Sequence, residues 1–200
     1  GKKPRSVYEP VRHVLTSGGK RLRSVLVLLA CGAVGGTNAD AIHAAVAVEI
    51  LHNFTLVHDD VMDNADVRRG RPTVHTQWDA NTAILAGDEL VALAYRSLLK
   101  TKANRLARVA GVFTDAFVEV CEGQGLDKEF ERRRRVSLGD YHEMIAKKTG
   151  CVSAASTEIG AIVGGGSPRH IASLRTFGRL LGQAFQIQDD LLDITGDEEK

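Results

Sequence analysis

The sequence predicts an all-α fold, a bundle of mostly antiparallel helices, on three observations. Proline is scarce (Pro4, Pro10, Pro72 and Pro168) and interrupts no long apolar stretch. The alternation of a half-buried strand is absent, and Ala and Leu dominate the apolar positions. The apolar-periodic stretches are long and the gaps short, so neighbours in sequence should run antiparallel.

The elements follow in order. Helices are expected near 5–17, 20–34, 39–64, 77–100, 104–130, 138–164 and 168–196. Gly18-Gly19 separates the first two. Gly35-Gly36-Thr37-Asn38 separates the next pair, with Asn38 as an N-cap. Arg69 to Pro72 forms a turn. Ser137-x-x-Asp140 has the spacing of a capping box, with Asp in place of Glu. Gly164–Gly166 ends a helix, and Ser167-Pro168 opens the last one as N-cap and first helical residue. No linker, repeat or low-complexity tract divides residues 1–200, so one domain is expected.

Composition bounds the function. The chain is 44% hydrophobic and 26% charged, with net charge +1. No global field favours nucleic acid or an anionic surface. The one basic block, Arg132–Arg135, follows Glu129-Phe130-Glu131 and reads as a solvated helix end or loop. Cys31, Cys121 and Cys151 are far apart, odd in number and without a CxxC, which suits reduced thiols in the cytoplasm rather than zinc. The longest apolar run, Val25–Cys31, is far short of the ~20 residues of a membrane span, and no signal peptide is expected.

One pattern recurs. Asp59-Asp60-Val61-Met62-Asp63 and Asp189-Asp190-Leu191-Leu192-Asp193 share DDxxD, each after an apolar approach. At 3.6 residues per turn, Asp59 stacks over Asp63 and Asp189 over Asp193, with Asp60 and Asp190 ~100° away. Like charges at i, i+4 destabilise a bare helix by ~0.2–0.5 kcal/mol. A cation relieves that repulsion. All-oxygen ligands suit Mg²⁺, which keeps few protein ligands and takes water and phosphate for the rest. The expectation is carboxylates on two facing helices with a diphosphate between them.

Basic residues complete the balance. Gly18-Gly19-Lys20-Arg21-Leu22-Arg23 sets cations at a helix start, where the macrodipole gives them no purpose and a bound phosphate does. Arg68 and Arg69 offer bidentate forks. Lys148-Thr149 offers an ammonium and a hydroxyl within an apolar helix. His52, Thr55, Asp59 and Asp63 follow one helix face, and Gln186 precedes Asp189 by three residues. Gly178 and Gly182 share the Asp189 face, explained equally by close helix packing or by room for a ligand. Glu49-x-x-His52 has the spacing of a di-iron ligand pair, but no second ExxH accompanies it.

GGKRLR (18–23), LVHDDVMDNADVRRGRPT (56–73), GQGLD (123–127), KTG (148–150) and FQIQDDLLD (185–193) together resemble the trans-isoprenyl diphosphate synthases, the polyprenyl synthetase family, from near Tyr8 to the last residue. The resemblance implies an all-helical fold around a central cavity and a homodimer. It implies head-to-tail condensation of isopentenyl diphosphate with an allylic diphosphate. Carried over by motif, Asp59, Asp63 and Asp189 would bind Mg²⁺, three ions per site, with Asp60, Asp190 and Asp193 close by. Arg68, Lys148, Thr149 and Gln186 would serve the allylic diphosphate. Lys20, Arg23, His52 and Arg69 would hold isopentenyl diphosphate. Asp127 matches a further acid.

Two departures stand out. Ser24 replaces a usual proline. The family continues past GDEEK with a Gly-Lys segment and further helices, so C-terminal helices are expected to be lacking, and Lys200 lies too early to be the family's later phosphate-binding lysine. Phe54 and Thr55, just before Asp59, are the expected chain-length positions, favouring a C15–C20 product. Alternatives are a long-chain polyprenyl synthase, a terpene cyclase and a non-catalytic partner subunit. The cyclase needs no second cationic set, and a partner subunit needs no intact acidic motifs.

Overall fold

A computed structural model describes residues 3–195. The helices are α1 (Arg5–Leu15), α2 (Leu22–Ala33), α3 (Asn38–Met62), α4 (Val74–Gln77), α5 (Ala80–Leu98), α6 (Ala103–Phe130), α7 (Leu138–Ile145), α8 (Cys151–Val163) and α9 (Pro168–Thr195). The fold is all-α, as the sequence predicts. The expected end of the last helix at Gly196, and Lys200, lie outside the described residues.

Three glycine- or asparagine-ended helices stop in the same way. Gly35, Asn64 and Gly165 all take a left-handed φ. The following amides reach back five residues, Gly36 to Cys31 O (2.9 Å), Ala65 to Asp60 O (3.0 Å) and Gly166 to Ala161 O (2.8 Å). This Schellman closure satisfies carbonyls that a helix end otherwise leaves bare. At Asn64 it closes α3 at Met62, so that Asp63 falls in the turn directly after the helix.

Starts are equally local. Ser137 and Asp140 form the expected capping box. Ser167 Oγ accepts from the His170 amide at 3.2 Å. The cap of α3 falls one residue before Asn38. The Thr37 hydroxyl and amide both donate to Asp40 (2.6 and 3.1 Å), and Asn38 is the first helical residue.

Three boundaries differ from expectation. The segment expected to be helical over 77–100 is broken at Trp78-Asp79, where Asp79 accepts from the Thr82 amide and starts α5 afresh. The segment over 138–164 contains a π turn, Ala146–Gly150, between α7 and α8. The turn at Arg69–Pro72 belongs to a small antiparallel hairpin pairing Val67-Arg68 with Arg71-Pro72. Its two central residues, Arg69 and Gly70, both have positive φ, the requirement of a type I′ turn.

Contacts divide the chain into two compact units. One comprises residues up to Val25 with Ile42–Thr101, and the other comprises Leu26–Ala41 with residues from Lys102 onward. In the first, Leu51, Leu90, Ala94 and Leu98 are fully buried. In the second, α8 is buried along its whole length. Alanine and glycine let helices close on it. A Cβ at Gly160 would lie 2.2 Å from Val27 O, and one at Gly178 would lie 2.3 Å from Thr157 Oγ1.

By length and composition α3 could cross a membrane. It is a core helix here. Asn53 is fully buried in it, and Glu49 carries an ion pair with Arg21.

Candidate active site

In the first unit the sequence sets a cationic loop beside the end of an acidic helix. Gly18 and Gly19 have φ of 81° and 117°, and Arg21 is held at 51°. A left-handed non-glycine residue costs of order 1–3 kcal/mol and needs an anchor. Arg21 has two. Its guanidinium donates to Glu49 Oε1 at 3.0 Å and to Leu15 O at 3.1 Å. Arg21 is thus turned to structure, while Lys20 and Arg23 flank it at the start of α2.

Arg69 lies over this loop. It donates to Gly18 O at 2.7 Å, and a Cβ on Gly19 would lie 2.8 Å from its guanidinium carbon. The second glycine is there because the arginine is. Arg23 Nη1 lies 3.0 Å from His52 Nε2. Burial first, then Arg23, Arg69, Arg68 and Arg21, push His52 well below the usual imidazole range. His52 is therefore neutral, and its Nε2 accepts from Arg23. Lys20, Arg23, His52 and Arg69, named from the sequence for one diphosphate, belong to one unit, with Arg23 paired to His52 and Arg69 laid over the loop that carries Lys20.

The acidic motif divides by role. Asp60 is 5% exposed and accepts from Arg68 Nε at 2.5 Å. Burial raises its proton affinity, and Arg68 pulls it back down. Asp59 is half-buried in the last turn of α3, which holds no basic residue, and Asp63 is exposed directly beyond it. There the macrodipole is negative too. Asp60, Arg68, Arg69 and Asn53 help line one pocket.

The second unit repeats the arrangement with other partners. Asp190 accepts from Tyr141 Oη at 2.6 Å and from Gln186 Nε2 at 2.7 Å. Gln186 Oε1 in turn accepts from Thr149 Oγ1 at 2.7 Å. Asp189 and Asp193 are exposed and form no ion pair among the described residues. Lys148 donates to Asp127 at 2.5 Å. The π turn brings Lys148 and Thr149 to these partners, a common setting for π bulges. Gly123, the first glycine of GQGLD, admits it: a Cβ there would lie 2.3 Å from the Lys148 amide nitrogen.

Gly178 and Gly182 are settled in favour of packing. Their Cβ positions would strike Ser153 and, at Gly178, Thr157 as well.

Phe54 is buried and meets the His58 ring edge-on at 4.6 Å. Thr55 lies on the Asp59 line, its hydroxyl satisfied by His52 O at 2.8 Å.

Three residues escaped the sequence reading. Glu49 was visible only as a possible metal ligand, and the structure gives it to Arg21. Tyr141 carries no motif signal. Gln124 lies inside GQGLD, and both its side-chain amide atoms are buried without a partner. A buried amide that makes no hydrogen bond calls for a ligand or water.

No three His, Cys, Asp or Glu side chains converge as a metal cage among the described residues. The donor set fits Mg²⁺ nonetheless. It consists of carboxylate oxygens with no thiolate among them, ligands that suit a hard ion whose shell is completed by water and phosphate.

The polyprenyl synthetase family model matches residues 4–200. A short chain isoprenyl diphosphate synthase of Methanothermobacter thermautotrophicus is 46% identical over 98% of this chain and 61% of its own length. A geranylgeranyl diphosphate synthase of Methanosarcina mazei is 45% identical, with the same coverage. The solved geranylgeranyl pyrophosphate synthetase of Pyrococcus horikoshii superposes with a TM-score of 0.96 at 46% identity, over 99% of this chain and 61% of that one. The chain thus spans about 61% of the length of these relatives. On its motifs, its fold and this match, the chain belongs to the polyprenyl synthetase family.

Proposed function

We propose that this chain condenses isopentenyl diphosphate head-to-tail with an allylic diphosphate, giving a C15–C20 product. The carrying observation is the shared build of the two acidic motifs, each with its middle carboxylate held by protein donors and flanked in sequence by two outer carboxylates. The names of the synthases it resembles support the reaction.

Asp59, Asp63 and Asp189 would hold Mg²⁺, three ions per site, with Asp193 close by. The metal, when bound, supplies Lewis-acid stabilisation of the departing diphosphate. The chain's own residues do the rest. Arg68 and Lys148 add fixed positive charge for the leaving oxygens, oriented by Asp60 and Asp127. Thr149 and Gln186, tied to each other, present oxygen dipoles to the allylic end. Lys20, Arg23 and Arg69 grip the second diphosphate, with neutral His52 as a hydrogen-bonding partner. Apolar walls exclude water from the allylic cation. The isopentenyl double bond attacks it, and one proton leaves.

A homodimer and a cytoplasmic location belong to the same proposal. Exposed Ile84, Leu85 and Leu99 support the first, and three free thiols support the second.

The test is incubation of the protein at its full natural length with isopentenyl diphosphate, Mg²⁺ and C5, C10 or C15 allylic primers, with products sized by mass spectrometry. A C15 or C20 product abolished by EDTA is expected. Longer products overturn the length assignment, and no condensation with any primer overturns the reaction. Phe54→Ala should lengthen the product, and an unchanged distribution removes Phe54 from chain-length control.

A further inference from the structure

The four arginines at 132–135 take no part in the site described above. They occupy a segment without regular structure between α6 and α7, and every residue from Glu131 to Gly139 is exposed. The nearby acids are already engaged. Glu131 pairs with Lys128 at 2.7 Å, Glu129 with Arg133 at 3.4 Å, and Glu143 lies 3.9 Å from Lys147. Asp140 is committed to the capping box with Ser137. Arg132, Arg134 and Arg135 form no ion pair among the described residues. The chain as a whole carries only +1, so this is a local concentration of charge rather than a general basicity.

Apolar side chains stand among these charges. Val136 is 40% exposed and Leu138 is 72% exposed. Water is a poor environment for both. A surface that pairs guanidinium with phosphate and takes aliphatic groups just beneath satisfies the whole segment. We propose that residues 132–138 form a docking loop for an anionic phospholipid surface.

The chemistry favours lipid over nucleic acid. A single strand needs aromatic platforms for its bases. The one aromatic ring at the segment, Phe130, is half-buried and lies 5.0 Å from the Arg133 guanidinium carbon. Val136 and Leu138 would gain nothing from a sugar-phosphate backbone. The loop follows Asp127 by about one helical turn, so docking holds the α6 end of the second unit near the bilayer. The proposal does not rest on the prenyl-transfer reading.

Co-sedimentation tests it, with vesicles of phosphatidylcholine alone and of phosphatidylcholine mixed with phosphatidylglycerol. The chain should pellet with the mixed vesicles at about 0.05 M salt and be released at about 0.5 M, as screened charge requires. Replacing Arg132, Arg134 and Arg135 by Gln should lower binding by about tenfold or more. Replacing Val136 and Leu138 by Ser should weaken binding while keeping its salt dependence. Circular dichroism checks that both variants stay helical. Failure to pellet at low salt, equal binding to neutral vesicles, or an unaffected arginine variant overturns the proposal. So does tight binding of a short single-stranded RNA that ignores the Val136 and Leu138 replacements.

Discussion

The acidic motif at the end of α3 and the one on α9 differ in what grips the middle carboxylate. Asp60 is buried and bound to a cation, Arg68. Asp190 is half-buried and bound to neutral donors, Tyr141 and Gln186. The outer carboxylates also differ, since Asp59 is half-buried while Asp63, Asp189 and Asp193 are exposed. The difference teaches that five shared letters do not fix one environment. The first motif is secured by an ion pair that its own hairpin supplies. The second is secured by a hydrogen-bond chain running through Gln186 to the π turn.

Breaking the outer positions should have the largest effect. Asp59→Ala or Asp189→Ala should each lower kcat by about a thousandfold or more, in line with lost transition-state charge stabilisation. Steady-state kinetics at saturating Mg²⁺ check it.

The middle positions come next, and they should differ. Asp60→Asn releases Arg68 and should cost about a hundredfold in kcat, against about tenfold for Asp190→Asn, whose partners are uncharged. Stability runs the other way at Asp60. Burial raises its proton affinity, so the folded chain binds that proton more tightly than the unfolded one. The resulting stability is full below the usual carboxylate range and is lost as pH rises through the raised value. Asp60→Asn removes this pH dependence. Arg68, 38% exposed, can hydrate when released. Thermal unfolding at neutral pH should find the variant no less stable than the parent.

Gly178→Ala probes the seam that carries the second motif. Its Cβ would lie 2.5 Å from Ser153 O, a backbone atom that cannot swing aside. The expected loss is about 1–3 kcal/mol by denaturant unfolding. Gly125→Ala, with nothing within 4 Å, should instead gain about 0.5–1 kcal/mol.

Tyr141→Phe should be mildest, a few-fold in kcat from one lost hydrogen bond of about 1 kcal/mol. Burial and the bond to Asp190 push the Tyr141 hydroxyl up to about 12. It therefore stays a donor throughout the neutral and mildly alkaline range. The parent rate should show no loss from its ionisation near pH 10.

Much of this was legible in the sequence, because helix period and end signals are local. Ser137-x-x-Asp140 and Ser167-Pro168 function as read, and both DDxxD motifs fall on helices except for Asp63, one residue past the end of α3. The hairpin escaped because strands of two residues leave no alternation to detect. Asp79-x-x-Thr82 carried a cap signal that the long apolar stretch masked. The π turn has no compositional mark, since it depends on Gly123 coming within a Cβ's reach of Lys148. Tyr141 and Glu49 were hidden for the same reason. Their partners, Asp190 and Arg21, lie 49 and 28 residues away.

The proposed roles amount to a division of labour within each motif, with outer carboxylates for metal and middle ones for positioning. The Mg²⁺ dependence of the initial rate tests it most directly, compared among Asp59→Asn, Asp60→Asn, Asp189→Asn and Asp190→Asn. The two outer variants should need more Mg²⁺ for half-maximal rate, while the two middle variants should lose rate at unchanged Mg²⁺ demand. A larger shift in Mg²⁺ demand for Asp60→Asn or Asp190→Asn than for its outer neighbour would contradict it.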